Sequence, residues 1–331
     1  MTSVTGMPAD KREISPTGKF SLRGNAAFFA KLAISLGAFW LALHRVNTSA
    51  VITSFSRINW GYFAVALALS ILMPILGGIR WWLVCKAIGC RARLGNLVRV
   101  FWAGMAMNQI MPAAMSDGLR VLLLVRRGYG AGEAASTIVL ERAAMIFALL
   151  GMVVVTTPLI GATVTRGFPK WIPLAMLGAG TVGFSALLFA DRNWGRRGTW
   201  RIIAVIAALS THIRRILTSR QGGVLLISCL VSNLNFVAAG ILLGIALGLA
   251  VPPLEWLVAI PLVVVVTVLP ISIGGWGMRE GLLVALLGAA SVPVAQALTF
   301  SILFGALSAA SSLPGLAFLW AGRATGAKNE P

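Results

Sequence analysis

The sequence predicts an all-α polytopic membrane protein with about six full spans and two further helical segments that turn back inside the bilayer as oppositely oriented re-entrant hairpins. Three observations lead there. Of 331 residues, 58% are hydrophobic and only 11% charged, too little polar surface to solvate a soluble globule of this size. Apolar runs recur near the roughly 20-residue length that crosses a bilayer as a helix. Two of those runs are interrupted by proline and glycine beside charged residues, between Pro112 and Arg120 and between Pro270 and Gly281.

Residues 1–26 form a polar tail in which Lys11, Arg12, Lys19 and Arg23 precede the first apolar run, an arrangement expected of a cytoplasmic N-terminus. Residues 27–321 read as one transmembrane domain. Full spans are predicted at Ala27–Leu43, Tyr62–Ile79, Ala134–Leu159, Trp171–Ala190, Val224–Ala250 and Val294–Ala321. Arg80, Lys86, Arg91, Arg93 and Arg99 follow the second span and read as a cytoplasmic loop. Val100–Val125 ends at Arg126 and Arg127, so the chain is expected to return to the side it left. Residues 191–222 place seven arginines around the apolar stretch Ile202–Leu209, the pattern of an amphipathic helix lying on the cytoplasmic leaflet. Leu257–Leu287 starts from the outer face after Pro252-Pro253, and no basic cluster follows it. The last span must end at Arg323 and Lys328, in a cytoplasmic tail over 322–331. The two broken segments then enter from opposite faces, as in an inverted-topology repeat. Pro112 stands eight residues before Arg120 and Pro270 nine before Arg279, each arginine with glycine nearby.

A net charge of +19 on a polar domain would suggest nucleic acid. Here the basic residues gather at the ends of apolar runs, which marks topology and attraction to anionic headgroups, and no nucleic-acid partner is expected. Cys85, Cys90 and Cys229 have no metal-ligand spacing, so neither a metal nor a cofactor is expected. His44 and His212 flank the membrane without a nucleophile or ligand cluster, and no phosphate-binding loop is visible. The chain is therefore not expected to be an enzyme, with an intramembrane transferase using Asp117 or Glu280 as the less favoured reading.

Acidic residues number only nine. Asp117, Glu133, Glu141 and Glu280 fall in or beside apolar segments, where each charge costs about 2.5–3.5 kcal/mol on insertion scales and needs a partner. Neighbours in sequence diverge on a helix, so the expected pairs are crosswise: Glu141 with Arg279, and Glu280 with Arg120 or Arg142. Such pairs can hold the hairpins or meet a polar ligand, and both roles stay open. Gly274, Gly275 and Gly277 can bring backbone N–H groups to an anion, or merely permit a tight turn. Arg279 can clamp a phosphodiester bidentately. Asn108 and Gln109 can bind a headgroup or cap broken backbone, and Asn233 and Asn235 read chiefly as packing residues. Gly240, Gly244 and Gly248 form a small-residue stripe suited to a helix contact. Trp81, Trp82, Trp171, Trp194 and Trp256 read as an interfacial belt.

Arg80-Trp81-Trp82, Asn108-Gln109-Ile110-Met111-Pro112 running to Gly118-Leu119-Arg120, Glu141-Arg142, and the string from Leu269-Pro270 through Gly274-Gly275-Trp276-Gly277-Met278-Arg279-Glu280-Gly281 together resemble the flippase-like domain family. This family comprises the membrane region of lysylphosphatidylglycerol synthases and its stand-alone relatives. The resemblance covers about Ala27–Ala321. It implies translocation of a lipid with a polar or anionic headgroup between leaflets of a bacterial inner membrane. The candidate headgroup-binding residues, read from their own chemistry and placement, are Arg279, Glu280, Arg120, Glu141, Arg142, Asp117, Asn108, Gln109, Gly274, Gly275 and Gly277, with Pro112 and Pro270 breaking the helices. Its expected partners are membrane lipids and a separate lipid-modifying or lipid-synthesising enzyme, with a homo-oligomer left open. A non-transporting scaffold for such an enzyme is the alternative. Met145 stands where the family often has an aspartate, four residues after the glutamate of Glu141-Arg142. The soluble aminoacyl-transferase domain of the full synthases does not follow before Pro331, so lysyl transfer is not expected.

Overall fold

The computed structural model describes residues 58–90, 92–156, 220–268 and 276–326, with isolated positions at 55–56, 158, between 175 and 185, and between 210 and 216. Every regular element among them is a helix: α1 Trp60–Ile88, α2 Leu94–Asn108, α3 Ala113–Val125, α4 Ala131–Thr156, α5 Arg220–Ala246, α6 Pro253–Val268, α7 Met278–Ala289, α8 Val294–Ser312 and α9 Pro314–Gly326. Four stretches are long and apolar enough to cross a membrane: α1, α4, α5, and α8 continued into α9 as Val294–Trp320. The predicted spans Ala27–Leu43 and Trp171–Ala190 lie largely or wholly outside the described residues, as does most of 191–222. Ile213 and Ile216, from the end of that last stretch, are buried against the bundle.

Local chemistry sets the helix ends. Asn59 caps α1 by accepting the Gly61 N–H at 3.0 Å, and Gly89 ends it in the left-handed conformation at φ 90°. Pro112 ends the α2–α3 connection, because its ring fixes φ and supplies no N–H while α3 needs none at its first turn. Pro314 likewise separates α8 from α9, so the predicted last span is two helices meeting at Leu313. The second span also runs further than predicted. It carries Arg80 inside the membrane-length helix α1 rather than in a loop after it, because Trp81–Ile88 continues the apolar pattern.

Helices α2 and α3 pack against each other as an antiparallel hairpin, with the Ser116 hydroxyl donating to the Gly104 carbonyl at 2.8 Å. Helices α6 and α7 form a second packed pair, α6 lying against α4 and α7 against α8. Two large apolar cores divide the bundle, with a small third cluster of Met145, Leu149, Leu150 and Val265 joining α4 to α6. One joins the start of α1, the ends of α4 and α5, and α6–α8 around Trp256, Ile260, Leu283 and Phe300. The other joins the end of α1, α2, and the starts of α4 and α5 around Trp81, Leu97, Leu140 and Cys229. Helix α1 therefore runs antiparallel to α4 and α5, and the middle of all three lies between the cores.

In lipid, helix association depends on close packing rather than on a hydrophobic drive. Gly240 and Gly244 of α5 meet that need: a Cβ on Gly244 would sit 2.7 Å from the Trp256 ring, and Gly240 faces Ile260. Gly248, the third residue of the predicted stripe, instead follows the helix at φ 69° with no described residue against it. The outward face of α5 is apolar and exposed at Leu226, Ile227, Val231 and Leu234, as a lipid-facing surface requires.

Candidate functional site

Between the two cores, a cavity of about 220 Å³ is lined by Arg80 and Met73 of α1, Asn108 and Gln109 at the end of α2, Ala113, Ser116 and Arg120 of α3, Glu141, Arg142 and Met145 of α4, Asn233 of α5, Thr267 of α6, Arg279 of α7, and Ser308 of α8. Glu141 and Asn233 sit near mid-length of their helices, and Arg80 lies about two turns before the C-terminal end of α1. Both helix pairs therefore contribute to one chamber, in which a cluster of charged and amide groups is set in a wall completed by apolar side chains such as Phe101, Phe236, Val263 and Phe304.

The ion pairs form a chain through that chamber. Arg80 grips Glu141 with two nitrogens, Nε at 2.8 Å and Nη2 closer still, and both side chains are buried. Arg120 reaches Glu141 Oε2 at 3.7 Å and Asp117 Oδ1 at 3.2 Å through Nη1 alone. Arg142 takes both oxygens of Asp117, Nε at 3.1 Å and Nη2 at 3.0 Å. Glu141 is thus the shared anion of α1, α3 and α4. Met145 Sδ lies 3.7 Å from Arg80 Nη2, so its thioether adds a soft contact and no charge at that position.

Arg279 and Glu280 form a separate, local unit. Arg279 donates from Nε at 3.0 Å and Nη2 at 2.6 Å to Glu280 Oε1, while the Gly277 N–H donates to Glu280 Oε2. Gly277 has φ 85°, a conformation that disfavours any side chain, and it caps α7 in this geometry.

Two of the buried arginines, Arg120 and Arg279, also have a neighbouring glycine and an aromatic face. Arg120 lies 4.2 Å over Trp81 and 4.6 Å over Phe101, and Arg279 lies 4.4 Å over Trp276. A Cβ on Gly104 would come within 2.7 Å of Arg120 Cδ, and one on Gly305 within 2.6 Å of Arg279 Cζ. Gly104 thereby leaves room for the stem of Arg120, and Gly305 for the guanidinium of Arg279. Trp81 donates in addition to Thr137 Oγ1 at 3.0 Å.

Several expectations are corrected by this geometry. Glu141 pairs with Arg80 and Arg120 rather than Arg279, and Glu280 pairs with its own neighbour Arg279. The rule that adjacent residues diverge fails because Glu280, at the third position of its helix, folds back to the N-terminal N–H and comes within Arg279's reach. Trp81 and Trp256 are fully buried rather than belt residues. Asn233 faces the cavity, whereas Asn235 donates to the Leu69 carbonyl at 2.9 Å and packs α5 on α1. Of the predicted site residues, Arg120, Glu141, Arg142, Asn108, Gln109 and Arg279 line the chamber, and Asp117, Glu280 and Gly277 stand behind it as partners. Gly274, Gly275 and Pro270 lie outside the described residues. Sequence reasoning misses Arg80, although the apolar run after it marks it as interior to a helix.

The family model of the lysylphosphatidylglycerol synthase transmembrane region matches residues 28–315. The chain belongs to this family. A UPF0104 membrane protein of Methanothermobacter thermautotrophicus is 25% identical over 153 residues, 44% of this chain and 45% of that protein. The chain thus spans under half of the length of this curated relative. Membership of the transmembrane-region family agrees with the four apolar helices of membrane-crossing length, and the protein is a multi-pass membrane protein.

Proposed function

We propose that the protein carries a lipid with a polar or anionic headgroup between the two leaflets of a membrane, as a flippase or scramblase. The observation that supports this best is the chamber itself: four arginines and a shared glutamate converge on one cavity inside a bundle of apolar helices of membrane-crossing length. Charges are expensive there and mark ligand pathways. The cavity, at about 220 Å³, falls below the roughly 300–1,000 Å³ of a pocket that swallows a drug-sized ligand. It suits a headgroup whose acyl chains stay in the bilayer. In this reading α2–α3 and α6–α7 are re-entrant hairpins entering from opposite faces. The membrane is a bacterial inner membrane with both termini cytoplasmic, and the protein moves lipid without modifying it.

The test uses proteoliposomes holding fluorescent lipids in the inner leaflet, with a membrane-impermeant quencher outside. Wild-type protein is expected to expose inner-leaflet lipid well above protein-free vesicles, with Arg120→Ala and Arg279→Ala falling to that background. Background movement in the wild type, across anionic, glycosylated and hopanoid probes, would sink the proposal. Co-purification of such an inert protein with a lipid-modifying enzyme would point to a scaffold instead.

A further inference from the structure

Helix α1 ends in a Schellman turn. The Cys90 N–H donates to the Cys85 carbonyl at 2.8 Å and the Gly89 N–H to the Lys86 carbonyl at 3.2 Å, with Gly89 left-handed at φ 90°. That motif sets a side chain of the last helical turn against the one just past the helix, a contact frequently made by two apolar groups. Here the two are the thiols of Cys85 and Cys90, both free and both in the same apolar core. The Cys90 thiol meets that of Cys85 on one side and the Glu133 carboxylate of α4 on the other. Cys85 is fully buried and Cys90 is 8% exposed, while Glu133 is exposed. A reagent from outside the bundle therefore reaches Cys90 first. None of these three residues lines the chamber.

We propose that Cys85 and Cys90 are a redox-active pair that closes to a disulfide by exchange with a low-molecular-weight disulfide and reopens by exchange with a thiol. The Cys90 sulfur attacks one sulfur of the reagent. The reagent's S–S bond breaks, its other half leaves as a thiol carrying the Cys90 proton, and a mixed disulfide stands on Cys90. The Cys85 sulfur then attacks the Cys90 sulfur and expels the second half as a thiol carrying the Cys85 proton. Two S–H bonds of the protein become one S–S bond, and the reagent takes up two electrons and two protons. Glu133 guards the pair. Burial first, and then this carboxylate, hold the Cys90 thiol above its ordinary range, and a thiol attacks far less readily than a thiolate. Cys85 and Tyr129 also face Cys90, Arg127 lies near Tyr129, and the Arg215 guanidinium lies by Gly89.

Purified full-length protein, folded and reduced in detergent, tests this with dithiodipyridine, a small disulfide that releases one coloured thiopyridone per exchange. The wild type is expected to release two thiopyridones per chain, to lose the mass of two hydrogens, and to show a Cys85–Cys90 link on peptide mapping that a reducing thiol reverses. Cys229→Ser is expected to do the same. Cys85→Ser is expected to stop at one thiopyridone, with a lasting adduct on Cys90. Glu133→Gln brings the Cys90 thiol down toward its ordinary range, so closure at neutral pH is expected to run roughly threefold faster, with the rate profile moved to lower pH. A lasting adduct on wild-type Cys90 without the cross-link, a link to Cys229 or between chains, or no reaction of the folded protein overturns the pair. Closure in Glu133→Gln no faster than in the wild type overturns the guard. Mapping of the wild type decides the pair without any substitution.

Discussion

The hairpin of α2 and α3 and the pair α6 and α7 offer the same ingredients in nearly the same spacing, a proline followed by an arginine near glycine, yet they use the arginine differently. Arg120 is the eighth residue of α3, two turns past the break, where its side chain looks across to α1, α2 and α4. Arg279 is the second residue of α7, in the first turn, where the nearest carboxylate is its own neighbour. The one helps hold four helices and keeps its fork, the Nε–Nη2 edge, without a partner among the described residues. The other closes a local pair against Trp276 and Gly305. Where a helix resumes after a proline therefore matters more than the count of residues from that proline. Arg279, in the first turn of α7, stays at a helix mouth, whereas the helix that starts directly after Pro112 carries Arg120 into the bundle.

The largest expected effect tests the shared anion of the first region. Arg80→Met leaves Glu141 buried with only the 3.7 Å contact to Arg120 and the more distant charge of Arg142, and stranding one member of such a pair costs about 3–5 kcal/mol. Thermal unfolding in detergent should show it, and the Arg80→Met, Glu141→Gln double variant should recover much of the loss. The corresponding change in the second region, Glu280→Gln, is expected to cost less, because Arg279 keeps Trp276 and the side-chain amide oxygen that replaces the carboxylate can still accept the Gly277 N–H. A loss in Glu280→Gln as large as in Arg80→Met would break the contrast between networked and local pairs.

A middle effect sharpens the steric half of the comparison. Gly104→Val pushes a side chain into the aliphatic stem of Arg120 and Gly305→Val into the guanidinium of Arg279, with overpacking of about 1–3 kcal/mol. Gly104→Val should weaken lipid movement more than stability, since the tip of Arg120 can move aside but then leaves the chamber wall. The smallest effect concerns Trp81. Its change to Phe removes the 3.0 Å bond to Thr137 at about 1 kcal/mol while keeping an aromatic face for Arg120, so lipid movement should persist near the wild-type rate in the vesicle assay.

Much of this architecture is legible in the residues alone. Hydropathy and length locate α1, α4, α5 and α8 to within a few residues at most ends, and Pro112 marks the hairpin break where it occurs. The scarcity of acidic residues singles out Asp117, Glu141 and Glu280 as groups in need of partners. The partners themselves are less legible. Arg80 reads as a topology marker because charge at the edge of an apolar run usually is one, and only the continuation of the helix through Trp81–Ile88 shows it to be interior. Trp81 and Trp256 read as interfacial for the same reason, whereas their depth depends on what packs over them.

The sequence by itself determined that the chain is helical and crosses a membrane, because backbone hydrogen bonding in lipid leaves helices as the means of spanning and apolar runs of sufficient length set their place. It also determined which residues would be costly to bury. Only the tertiary structure decided how that cost is met. Ion pairs between helices depend on rotation and depth set by packing, which one-dimensional spacing does not encode. Gly104 and Gly305 let two arginine side chains enter the bundle, α1 turns Arg80 onto Glu141, and Arg120 is left as the cation whose fork no described residue fills.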